Sequence, residues 1–155
     1  MKNLKRGSLL FVCVCFVLTL AAQDKPLPVR EPDLSKPTLF QELPSRIPCS
    51  VSELQSLLQV QQDQRVDRNF GNGFDFRGVV TSKSEPGDST VRSVAIRSTN
   101  FNGALMHIAR ITEADGSVRY TGRIISLQHQ DAYELVQEKN AYYFIKKGFY
   151  DLINE

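Results

Sequence analysis

In SLQHQDAYELV, residues 126–136, His129 stands two positions before Asp131 and five before Glu134. A histidine near two carboxylates offers the residue types that ligate a metal ion or relay a proton. The second candidate is Cys49, whose thiol, assisted by His107 or His129, would make a nucleophile and base for a small hydrolase. The chain holds two histidines and no HExxH, GxSxG or phosphate-binding loop, so neither arrangement comes with a recognised catalytic frame. The plainer reading is structural. Asp131 opens an apolar segment, where an aspartate bonds nearby backbone donors in a turn. Cys49 follows Pro48 at a helix entrance, a place for a small buried residue. No metal, cofactor or catalytic residue is therefore expected.

Arginines form a third candidate. Arg77, Arg92, Arg97, Arg110, Arg119 and Arg123 all fall in strand-like segments. They read as a solvated outer sheet face paired with acids such as Asp75 and Glu134. The sharper reading is a surface for an anion or acidic peptide, with Arg97, Arg119 and Arg123 as contacts.

The N-terminus bounds where such chemistry operates. Lys2, Lys5 and Arg6 precede the uncharged run LLFVCVCFVLTLAA (9–22), and Gln23-Asp24-Lys25 follows. This is the pattern of a signal peptide with cleavage after Ala22, rather than of a spanning anchor, which needs a longer apolar run. Export to the periplasm or medium is expected, with no membrane span after cleavage. Cys13 and Cys15 leave with the leader, so Cys49 remains as a single thiol and an intramolecular disulfide is excluded. The leader also removes three of the 19 Lys and Arg and none of the 17 Asp and Glu, leaving 16 against 17. A net charge of −1 gives no support to a nucleic-acid partner.

The elements that must position these residues follow from periodicity. Residues 23–48 carry six of the seven prolines and read as an arm or linker, whose Leu39, Phe40, Leu43 and Ile47 are able to dock on the domain. Ser50 and Glu53 have capping-box spacing, and Val51, Leu54, Leu57 and Leu58 make a helical apolar stripe. A helix from Val51 to about Gln64 is predicted. NFGNGF (69–74) reads as a turn. Strand-like segments then span 74–84, 89–97, 104–112, 117–127, 131–137 and 141–147, separated by connections too short for parallel crossovers. The expectation is one α+β domain over 49–155, with an N-terminal helix followed by an antiparallel meander of about six strands, as a curved sheet or small barrel. In a barrel, Phe74, Phe76, Tyr120 and Tyr143 would line a cavity for a small ligand.

The stretch FRGVV...IRSTNFNGALMHIARI...DGSVRYTGRIIS...DAYEL...YYFIKKGFYDLINE resembles the N-terminal pro-region module of some secreted bacterial metallopeptidases of the reprolysin-like type. The resemblance covers the chain from about Cys49 onward and rests on strand and turn residues. It implies a module that folds before, shields or escorts a protease. Since HExxH is absent, the peptidase part is missing here, and the implied role is non-catalytic: a propeptide-like or inhibitor-like module whose partner is a protein or peptide, such as a secreted peptidase.

Overall fold

The computed structural model describes residues 33–84, 87 and 90–153. The expected leader with Cys13 and Cys15, and the arm up to residue 32, lie outside the described residues.

One antiparallel sheet dominates. Its strands are β1 (Arg46–Cys49), β2 (Arg65–Asn69), β3 (Asp75–Ser84), β4 (Val91–Ser98), β5 (Leu105–Thr112), β6 (Val118–Ile125), β7 (Asp131–Glu138) and β8 (Ala141–Gly148). Helix α1 (Val51–Gln59) joins β1 to β2, and a short α2 (Phe149–Ile153) follows β8. The spatial order is β1-β8-β7-β6-β5-β4-β3-β2, which leaves β1 and β2 as edges of a curled half-barrel.

This corrects the helix-first α+β meander of about six strands. The sheet has eight strands, and one of them precedes the helix. Arg46–Cys49 is a strand despite Pro48 because it lies at an edge, where a missing N–H breaks no ladder. Arg65–Asn69 is a strand because α1 stops early. The Ser50 cap is formed as the spacing requires, with Glu53 N donating to Ser50 Oγ (3.2 Å) and Ser50 N to Glu53 Oε2 (2.6 Å). Val60, however, is extended, and β3 takes the following backbone: Asp63 N donates to Val80 O (2.9 Å) and Val80 N to Gln64 O (3.0 Å). Residues 60–64 are thus drawn to the sheet instead of continuing the helix.

The inner face is a set of cross-strand rows. Val80, Ile96, Met106, Ile124 and Tyr133 are successive register partners, all fully buried. Over β4 and β5, α1 lays Leu54, Leu57 and Leu58. Aromatic rings fill the curl. Phe70, beyond the end of β2, meets Phe144 of β8 at 5.6 Å, and Phe74 meets Tyr133 at 5.7 Å. Strong curvature brings backbones close at two inward positions. A Cβ on Gly122 would stand 2.7 Å from His107 O and 2.6 Å from Ile108 Cδ1, and one on Gly78 would stand 2.5 Å from Arg97 O.

Residues 33–45 form a strap across this curl. Phe40 is fully buried, its ring 5.4 Å from Phe101 and 5.1 Å from Tyr133. Burying such a side chain contributes about 2 kcal/mol, but the strap backbone also needs partners. Asp131 and Lys146 provide them. The Asp131 carboxylate accepts from Leu39 N (2.6 Å) and Phe40 N (2.7 Å). The Lys146 ammonium donates to Phe40 O (2.5 Å), Leu43 O (2.6 Å) and Gln41 O (3.4 Å). The last part of the proline-rich segment is therefore built into the compact unit that begins at Asp33.

Because a Cβ at Gly122 would meet the His107 carbonyl of the neighbouring strand and the packed Ile108 side chain, neither of which is free to shift, Gly122→Ala is expected to lower stability by about 1–3 kcal/mol. A urea denaturation midpoint equal to wild type would show that the curl tolerates a side chain there.

Candidate functional site

His129, Asp131 and Glu134 take separate partners. His129 ends the turn between β6 and β7, its Nδ1 2.8 Å from Ser126 Oγ and its amide donating to Ser126 O (3.2 Å). Asp131 is 7% exposed and both its oxygens are occupied by the strap amides. Glu134, an odd number of residues further along β7, projects from the opposite face, with its Oε2 3.8 Å from Lys147 Nζ. Among the described residues no group of three or more His, Cys, Asp and Glu side chains converges as metal ligands do.

Cys49 ends β1 on the inner face, opposite Tyr142, and is buried. Burial, reinforced by the Glu53 charge, pushes its thiol pKa up to about 12. The thiolate that nucleophilic chemistry needs is thus scarce at neutral pH. His107 stands on the outer face of β5, on the other side of the sheet, and His129 is tied to Ser126. Burial and then the Arg123 charge lower the His107 pKa, so its neutral ring persists further into the acid range.

The arginines divide between two faces. Arg77, Arg97, Arg119 and Arg123 lie on the outer face. Arg77 Nε reaches Asp67 Oδ2 at 3.4 Å, and Arg119 Nε reaches Glu113 Oε1 at 3.1 Å. Asp75, expected as an arginine partner, accepts instead from Asn69 Nδ2 (2.5 Å). Arg123 pairs in register with His107 on one side and Glu134 on the other. These three border a groove of about 420 Å³ with Thr121 and Leu135. Neither Arg97 nor Arg123 has an ion-pair partner among the described residues.

Arg92 and Arg110 belong to the inner face, which corrects the reading of all six as outer. They share the alternation of the buried Val94 and Ile96 in β4 and Met106 and Ile108 in β5, and they stand directly opposite each other. With Gln55, Leu58 and Gln59 of α1 they line a groove of about 330 Å³. Alternation along each strand carried a signal for this placement, but their pairing needed the register.

The groove on the outer face coincides with a split in the sheet. β6 and β7 pair only at Arg123↔Glu134 and Ile124↔Tyr133. Beyond that point the Tyr142 hydroxyl bridges the strands, accepting from Tyr120 N (3.1 Å) and donating to Gln137 Oε1 (3.0 Å). The sheet edges are less inviting to an added strand. β1 is four residues long and holds Pro48, while β2 carries Arg65, Asp67 and Arg68.

Native Cys49 is expected to react with a thiol-specific disulfide reagent at pH 8 only as fast as the protein opens, and freely in denaturant; rapid stoichiometric labelling of the folded chain would contradict its burial. Asp131→Ala leaves two strap amides without an acceptor and should cost about 2–5 kcal/mol by urea denaturation. A loss under about 0.5 kcal/mol, the range of ordinary surface changes, would show that the strap does not depend on that carboxylate.

No family model, curated protein or solved structure matches this chain.

Proposed function

We propose that the chain is an exported, non-catalytic module that binds a protein or peptide partner, in the manner of a propeptide or inhibitor. One contrast carries this reading. The residues with catalytic potential are absorbed by the fold, whereas Arg92 and Arg97 of β4, Arg110 of β5 and Arg123 of β6 have no acid partner among the described residues. Asp131 holds the strap, His129 closes a turn and Cys49 is buried as a thiol. Arg97 and Arg123 remain available for charge-assisted hydrogen bonds to a partner, and Arg119 can exchange Glu113 for another carboxylate.

The resemblance to the pro-region of reprolysin-like metallopeptidases supplies the kind of partner, a secreted peptidase. The aromatic residues considered for a ligand cavity have other roles. Phe74 and Phe76 pack against Phe101, and Tyr120 packs against Tyr142. Tyr143 lies on the outer face, with the Arg46 guanidinium 3.6 Å from its ring centre.

The test is affinity capture by the purified protein from the exported proteins of its source, followed by titration calorimetry with whatever is recovered. One stoichiometric partner, bound less tightly as salt rises, is the expected result. Recovery of nothing above background would sink the reading.

A further inference from the structure

We infer that Arg92 and Arg110, with Gln55 and Gln59 of α1, form a carboxylate-binding site for an acidic peptide segment of the partner. The assignment rests on the binding-module reading above and deepens it. The register places the two guanidinium-bearing residues directly opposite each other on the inner face, where like charges oppose one another. Three other arginines are answered locally: Arg46 meets Glu138 at 2.8 Å, Arg77 meets Asp67 and Arg119 meets Glu113, whereas Arg97 and Arg123 stand apart from each other on the outer face. For Arg92 and Arg110 no carboxylate lies within ion-pair reach among the described residues. An unrelieved cationic pair is a cost that a bound anion removes.

The surroundings are those of a binding groove rather than of a bare charged surface. Arg110 Nη1 donates to Thr112 Oγ1 (3.2 Å), which holds its fork in place, while Arg92 is exposed. Gln55 and Gln59, one helical turn apart, border the same groove with Leu58. Next in the cross-strand row, opposite Arg110, is Tyr120, only 4% exposed and with a buried hydroxyl that has no hydrogen-bond partner among the described residues. The groove's polar capacity is thus carried by the two guanidinium groups and the Gln55 and Gln59 amides, with Tyr120 buried behind them.

The chemistry favours a peptide. A guanidinium fork takes a carboxylate bidentately, and two forks suit two nearby carboxylates. Glutamine amides both donate and accept, which complements a peptide main chain, whereas free phosphate presents chiefly acceptors.

The experiment is an NMR titration of the purified protein at low ionic strength, following the Nε–Hε signals of Arg92 and Arg110. The probes are acetyl-Glu-Ala-Glu-amide and, separately, inorganic phosphate. Saturable shifts of both arginine signals with the peptide are expected, weakened about tenfold or more in Arg92→Gln and in Arg110→Gln, each first shown to keep the wild-type amide spectrum. Arg65→Gln, a charge-matched change on the β2 edge, should leave the affinity within about twofold. No saturable shift up to about 10 mM peptide would overturn the site. Equal weakening by Arg65→Gln would overturn it as a general charge effect. Phosphate binding as tight as the peptide would overturn the peptide assignment. In the capture experiment, a partner still held by the double variant R92Q/R110Q would remove this site while leaving the module reading intact; no partner for the wild type would remove that reading itself.

Discussion

Two opposite charges on neighbouring strands grip one short piece of backbone, and much of the fold depends on that grip. Residues 39–43 lie over the curl with their first amides turned to Asp131 and their carbonyls turned to Lys146. Half-buried backbone polar groups are costly unless paired, and charged partners make the strongest such bonds. The grip holds Phe40 against Phe101 and Tyr133. Tyr133 adds to it by donating its hydroxyl to Pro44 O at 2.6 Å, and burial followed by the nearby Asp131 charge raises its pKa. Asp131 and Lys146 thus serve as structural charges whose partners are main-chain dipoles.

Curvature connects this core to the grooves on the sheet. Gly78 and Gly122 are inward positions where a side chain would collide with the neighbouring strand, and their absence of a Cβ lets the sheet bend. The bend brings α1 over β4 and β5, so that the groove beside Arg92 and Arg110 has a helix for its wall. Where β6 and β7 separate, the Tyr142 hydroxyl takes the place of a ladder bond. Both grooves thus lie on a packed and hydrogen-bonded scaffold, the kind of preorganised surface that the proposed recognition needs.

Local signals were legible where the relevant physics is local. The Ser50 and Glu53 spacing marked the start of α1, because both bonds close within one turn. Alternation marked the segments that became β3 to β8. The end of α1 was less legible, since Val80 of another strand captures Asp63 and Gln64. β1 was hidden for a similar reason: the sequence shows its proline, but its place at an edge is a property of the sheet.

The amino-acid sequence by itself determined the antiparallel character, the capped helix, the turn at 69–74 and the lack of a disulfide in any chain reduced to Cys49. Each depends on short connections, on side chains bonding nearby backbone, or on composition. The tertiary structure decided the strand count, the docking of Phe40, the different fates of Asp131 and Glu134, and the division of the arginines between two faces. Those outcomes depend on register and curl, and a shift of one residue in register moves every side chain of a strand to the other face.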